Sequence, residues 1–271
     1  MSGEGFLHPL AEVFVVPSSI SVVKGADGLE HLNRTLTADV SGLRLQGRQD
    51  ALLCNANGRI LDHLILCNLG EQVILVGNHG TGDETRRQLL QGVAWDEEVT
   101  VMNGDGAIGH LRLLGKAVDR CLVGLGIDPS EIDSQSWTEF GSALISRTNV
   151  GDSAITEILV PSVELESLVE SLVVNGAETM DSARWSELRI RLGILERSEM
   201  NSSNLPFELG LHELIELDKG CYPGQEIHAR MESRGRISRT LVRLFSDLPL
   251  PIGKHVSPNV GRITVTSHAE H

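Results

Sequence analysis

The stretch that most constrains this chain is ALLCNANGRILDHLILCNLGEQVILVG, residues 51–77. Three runs rich in Leu, Ile and Val are cut by two turn signals. Asn57-Gly58 between apolar runs is a strong hairpin signal. Leu69-Gly70-Glu71 marks a second turn. The reading is an antiparallel meander of three strands. Upstream, SISVVKG reads as a strand and ADGLEHLNRTL as a helix, with Asp27 as N-cap and Glu30 three residues later completing a capping box. Downstream, GDETRRQLLQGV reads as a helix that starts at or near Asp83.

The order then recurs. AIGHLRLLG reads as a strand leading into the helix KAVDRCLVGLGI, and ALISRTN and AITEILVP as a strand pair. PSVELESLVESLVVNGAE reads as an amphipathic helix, capped by Ser162 and ended by Gly176. Its apolar stripe is Val163, Leu165, Leu168, Val169 and Leu172. SARWSELRIRLGIL reads as one more helix. Beyond residue 235, short strands alternate with Pro and Gly turns over a length too small for a separate stable domain. The expected class is α+β. One half spans residues 1–105, a second spans 106–235, and a short β segment fills 236–271.

With 41% hydrophobic and 22% charged residues the chain reads as soluble and globular. Aromatics are only 3%, so Leu, Val and Ile must build the core. No apolar run approaches the roughly 20 residues of a membrane span. MSGEGFLHPLAEVF carries an acid where a signal peptide has bases, so a cytoplasmic location and no membrane partner are expected. A net charge of −14 argues against direct nucleic-acid binding, which needs a positive field. Against that background Lys219, Arg230, Arg234, Arg236, Arg239 and Arg243 face only Glu226 and Glu232. Such a basic segment suits an anionic ligand or partner, or else is a solvated face.

The four cysteines show no C-x-x-C spacing, so neither a structural metal site nor a private Fe–S cluster is expected. Cys54, Cys67 and Cys121 lie in apolar runs and read as core. Cys221 differs, because it sits in LDKGCYPGQEIHAR between glycines and beside Lys219. A nearby cation and accessible backbone N–H groups would lower its thiol from the usual value of about 8.5 and make it reactive. Gly220 and Gly224 could also simply form a tight turn with Cys221 filling a small pocket.

KGCYPGQE, followed by Ala229, Arg230, Arg234, Gly235, Arg239 and Leu241, resembles the signature of the YgfZ group of folate-binding proteins. That group is related to the T-protein, the aminomethyltransferase of glycine cleavage. VVKGADGLEHLNRTLTADVSGL, NANGRILDHLIL and LPFELGL (Pro206, Glu208, Gly210, Leu211) resemble further segments of the family in the right order. The resemblance implies a two-part folate-binding fold around a central cavity that takes tetrahydrofolate or a derivative, followed by a β-barrel that here is short and truncated. It implies catalytic roles for Cys221 and Lys219, and cofactor contacts from His63, Glu208, Arg230, Tyr222 and Arg191.

Two departures from the T-protein pattern bear on activity. His63 stands where the second Asp of its hairpin serves the folate chemistry, with Asp62 expected on the opposite face of the strand. Arg191 stands where a Glu contacts the pterin. Both argue against aminomethyl transfer. The resemblance therefore implies a folate-dependent accessory protein for assembly or repair of Fe–S clusters, with Fe–S client or assembly proteins as partners and a link to tRNA modification only through clients. The alternatives are a tetrahydrofolate-dependent one-carbon transferase and a non-catalytic folate-sensing protein.

Overall fold

The computed structural model describes residues 9–151, 153–235, 237, 239–244, 251–257 and 261–267. Two antiparallel-dominated sheets face one another, and helices cover their outer faces. The first sheet holds β2 (Ser19–Lys24), β3 (Arg48–Cys54), β4 (Ile60–Asn68), β5 (Gln72–Gly77) and β6 (Thr100–Asn103) in the order β3-β4-β5-β2-β6. The expected meander is β3-β4-β5, antiparallel throughout. The second sheet holds β1 (Ala11–Val15), β7 (Ile108–Leu114), β8 (Thr138–Phe140), β9 (Ala143–Val150), β10 (Ser153–Pro161) and β11 (Ala177–Thr179), ordered β11-β1-β7-β10-β9-β8.

Alternation along the strands explains the layers. On β4, Leu64 and Leu66 point outward and join Leu32, Leu36 and Leu89 of helices α1 (Gly28–Thr35) and α2 (Gly82–Gln91) and the turn after α1. Ile65 and Cys67 point inward to meet Trp137 and Leu159 from the opposite side. On β7, Leu111 and Leu113 point outward to α3 (Val118–Gly124) and α4 (Leu165–Val174), where they pack with Cys121, Leu122 and Leu172. Full burial of each such aliphatic side chain contributes about 1.5–3 kcal/mol. The intervening residues His110 and Arg112 therefore face inward, and α5 (Ser182–Leu192) closes one end by stacking Trp185 on Phe14 at 5.2 Å.

Several local expectations are corrected. Asp27 precedes α1 without capping it, because its carboxylate instead accepts the Glu98 backbone N–H at 2.8 Å. Ser162 opens a 3-10 turn, so α4 begins only at Leu165, and Val163 is 91% exposed rather than part of the stripe. Beyond α6 (Gln225–Arg234) the described C-terminal residues add β12 (Gly253–Ser257) and β13 (Gly261–Val265), an antiparallel pair that is not closed into a barrel. The segment at 1–8 and Arg236 lie outside the described residues. Among the described residues no helix is long and apolar enough to cross a membrane.

Candidate functional site

Two glycines press two distant loops together. Gly58 (φ +70°) turns the β3–β4 hairpin, and Gly224 (φ +86°) precedes α6. A Cβ on Gly224 would lie 2.5 Å from Gly58 Cα, and one on Gly58 would lie 2.9 Å from His228 Nε2. Only glycine fits both the left-handed backbone and the contact. His228, on the first turns of α6, bonds the Gly58 carbonyl through Nε2 at 2.9 Å and the Tyr222 hydroxyl through Nδ1 at 3.2 Å. One neutral tautomer satisfies both partners, with Nε2–H donating and Nδ1 accepting. Burial lowers the His228 pKa, which keeps this neutral form, and raises that of the Tyr222 hydroxyl. Tyr222 is thus a buried strut beneath the loop.

Lys219 fastens the same loop to the end of α1. Its ammonium donates to Asn33 Oδ1 at 3.2 Å, to the Leu36 carbonyl at 2.8 Å and to the Ala38 carbonyl. All three protons are used, and the group also sits 5.5 Å from the Tyr222 ring centroid. Burial draws its pKa down to about 8, against the upward pull of Asp39 and Glu216. The Gln225 amide donates to the Leu217 and Lys219 carbonyls at 3.2 and 3.4 Å. It therefore closes the turn through backbone acceptors. Cys221 projects from this turn and is exposed, whereas Cys54, Cys67 and Cys121 are buried. Burial pushes the Cys54 and Cys67 thiols up to about 12, with a smaller push on Cys67 from Glu139, and raises Cys121.

Glu208 lies beside the hairpin turn in a 3-10 turn, Pro206–Leu209, that packs Phe207 on the His228 ring. Its carboxylate is buried and receives Arg239 at 3.0 and 2.7 Å and the Leu205 N–H at 2.9 Å, with Arg59 at 3.5 Å. Burial alone would raise the pKa, but the hydrogen bonds from Arg239 and the Leu205 N–H and the charges of Arg239 and Arg59 together outweigh it and hold the group charged. Arg230 stands exposed on α6 one turn before Arg234, and both line an open cleft of about 520 Å³ with Ile227 and Met231. Arg191 lies near the end of α5, where it pairs with Glu187 at 2.8 Å. The basic run therefore does not form one face: Lys219 and Arg239 are committed internally, and Arg230 and Arg234 point outward.

His63 faces the space between the sheets, and Asp62 turns the other way as expected. Asp62 is fully buried, accepting from Asn78, Thr81 and Thr85 at the start of α2. His63 Nε2 instead meets Asp50 Oδ1 at 3.3 Å, each side chain 24% exposed. From there ion pairs run inward without a break. Asp50 meets Arg48 at 2.8 Å, Arg48 meets Glu157 at 3.2 Å across the two sheets, and Glu157 meets Arg112 at 3.0 Å. Arg112 lies 5.1 Å over the Trp185 ring. His110 bonds Ser18 Oγ at 2.7 Å, but its Nε2 stops 3.9 Å from Glu157; neither it nor Arg48 Nε has a hydrogen-bond partner among the described residues. Burial drives His110 down to about 3, so its ring is neutral. Asp50 and Glu157 stay low despite burial, Asp50 through His63 and Arg48, Glu157 chiefly through Arg112. Sequence reading missed this seam. Its signal was charge on alternate positions of otherwise apolar strands, as in GHLRLL and TEILV.

A family model described as the GCVT N-terminal domain matches residues 19–219. The chain belongs to that family. Among curated relatives, an aminomethyltransferase from Listeria monocytogenes is 25% identical over 82% of this chain and 63% of its own length. The tRNA-modifying protein YgfZ from Yersinia pseudotuberculosis is 25% identical over 86% of this chain and 70% of its own. The chain therefore spans less than two thirds of the aminomethyltransferase's length. The fold is similar to that of glycine cleavage system aminomethyltransferase T from Bartonella henselae, with a TM-score of 0.81 and 21% identity over 98% of this chain and 76% of that one. In this chain the KGCYPGQE loop is a turn fixed by Lys219, Gln225 and the Gly58–Gly224 contact around one exposed thiol.

Proposed function

We propose that this chain is a folate-dependent accessory protein that supports assembly or repair of Fe–S clusters in client enzymes. The observation that carries the reading is the setting of Cys221. It is the exposed thiol among four, held on a turn pinned by Lys219, Gln225 and the Gly58–Gly224 contact. Family membership and the YgfZ relatives support it, and a link to tRNA modification would run through the clients.

The residues present fit a reduced folate. Asp50 and His63 offer an acceptor and a ring nitrogen at the partly exposed end of the seam, and the orphaned Arg48 Nε and His110 Nε2 lie buried behind them. Asp50 and His63 would hold the hydrogen-bonding edge of the pterin, and Arg230 and Arg234 would receive the anionic glutamate tail. Tetrahydrofolate, when bound, supplies nitrogens that carry one-carbon units. The protein's own contribution is to orient that ring system, to hold the cation of Arg48 against Glu157, and to present the Cys221 thiol.

One observation favours a second reading, one-carbon transfer. Asp50 brings a carboxylate to 3.3 Å from His63, so the pair can hold or move a proton at Nε2 although His63 occupies the place of a T-protein acid. Titration calorimetry with tetrahydrofolate tests both readings. Saturable heat is expected, and it should weaken in Arg230→Ala/Arg234→Ala protein. No heat at millimolar ligand would leave a folate-independent interaction protein. Methylene-tetrahydrofolate production from an aminomethylated carrier would promote the transferase.

A further inference from the structure

The free edge of the first sheet carries features that the folate reading does not use. β6 pairs only with β2 and ends the sheet among the described residues. The Gly104 N–H donates to the Ile20 carbonyl at 3.0 Å, which fixes the phase of the ladder. By antiparallel alternation Met102 and Thr100 share that ladder, and the N–H and C=O groups of Val101 and Asn103 are turned to the open side. A shallow cleft of about 560 Å³ lies here, walled by Leu90 and Arg87 of α2 and by Val101 and Asn103 of β6. The loop joining its two walls carries Trp95, which is 96% exposed, while Leu90 is 51% and Met102 44% exposed.

Charge indicates what would cover this edge. Arg86 is held by Asp83 and Asp105 at 2.7 and 3.1 Å, Arg87 by Glu84, and Arg34 by Glu97. The carboxylates of Asp96 and Glu98 in the Trp95 loop have no cationic partner among the described residues. The rim is therefore net acidic: Arg34, Arg86 and Arg87 are already ion-paired, and the exposed Lys24, opposite Thr100, is a further cation beside it. A second copy of this chain would bring like charge against like, whereas a basic segment would be attracted.

We propose that the β6 edge is a docking site for an extended, basic segment of a partner protein. The segment adds as a further strand, places alternate apolar side chains beside Leu90 and Val101, and sets its cations against Asp96 and Glu98. Main-chain hydrogen bonds from Val101 and Asn103 provide the register.

Trp95 gives a direct readout, because Trp137 and Trp185 are 1% and 3% exposed and report little of the surface. The probe is the synthetic peptide Ac-KVKVKVKVK-NH2, titrated while tryptophan emission is followed. The expected result is a saturable blue shift, absent in Trp95→Phe protein. Ac-KPKPKPKPK-NH2 has the same charge but lacks alternate backbone donors, and should bind at least about tenfold more weakly. Val101→Pro should cost a similar factor, since that N–H is outside the β2 ladder and edge strands tolerate proline. Asp96→Lys/Glu98→Lys, which leaves the strand untouched, should also weaken binding. Equal binding of both peptides, no shift at millimolar probe, or a concentration-dependent dimer that Val101→Pro abolishes would each overturn the proposal.

Discussion

At the scale of single residues, Lys219 and Cys221 have separable roles. The Lys219 ammonium spends its three protons on Asn33, Leu36 and Ala38, so its geometry is that of a fastener between the KGCYPGQE turn and α1. Lys219→Met strands three acceptors and should cost roughly 1–3 kcal/mol in urea unfolding. The sequence alone suggested instead that Lys219 acidifies the neighbouring thiol. Alkylation across a pH series separates the two roles. Cys221 should label first, with Cys54 and Cys67 slowest because burial pushes their thiols up to about 12. If Lys219→Met leaves stability unchanged and instead raises the labelling midpoint of Cys221, the lysine is an activator and not a fastener.

At the scale of elements, the contact between the hairpin turn and the start of α6 depends on one of the two glycines in KGCYPGQE. Gly224 has a positive φ and backbone atoms 2.5–2.7 Å from where a Cβ would stand, while around Gly220 nothing lies within 4 Å. Gly224→Ala should therefore lower the unfolding free energy by about 2 kcal/mol or more, and Gly220→Ala by less than about 0.5. Equal effects would show that the close approach is not what the motif preserves. The hairpin itself was legible because Asn57-Gly58 is a local signal whose loop is closed by near neighbours, with Asn55 Oδ1 accepting from the Asn57 and Arg59 N–H groups. The packing of Gly58 on Gly224 was not, since it joins residues far apart in sequence. The capping box failed for the same reason: Asp27 found a better donor in the Glu98 N–H, a partner that only the folded chain supplies. Burial of Tyr222 was hidden as well, because its partner His228 lies on the next helix and takes its tautomer from Gly58.

At the scale of the whole molecule, the two sheets are joined by an apolar zone around Trp137 and by the ionic seam from Asp50 to Arg112. The seam makes stability depend on pH. His110 is neutral in the folded protein down to about 3, whereas the unfolded chain takes up a proton near 6.5. Between these values the unfolded state binds the extra proton, so stability falls as pH drops, by about 1.4 kcal/mol per unit for this group. His31 and His228, also lowered mainly by burial, act in the same direction. Urea midpoints from pH 6.5 to 5 should thus fall steadily, and His110→Gln should reduce the slope by about one proton; an unchanged slope would place the ring in solvent. The central claim is that the exposed thiol of the pinned turn serves Fe–S clients. Its most direct test is the activity of Fe–S enzymes in cells whose only copy of this protein carries Cys221→Ser. The account predicts a folded protein at normal abundance and impaired Fe–S enzymes. Full Fe–S enzyme activity with the serine variant would contradict it.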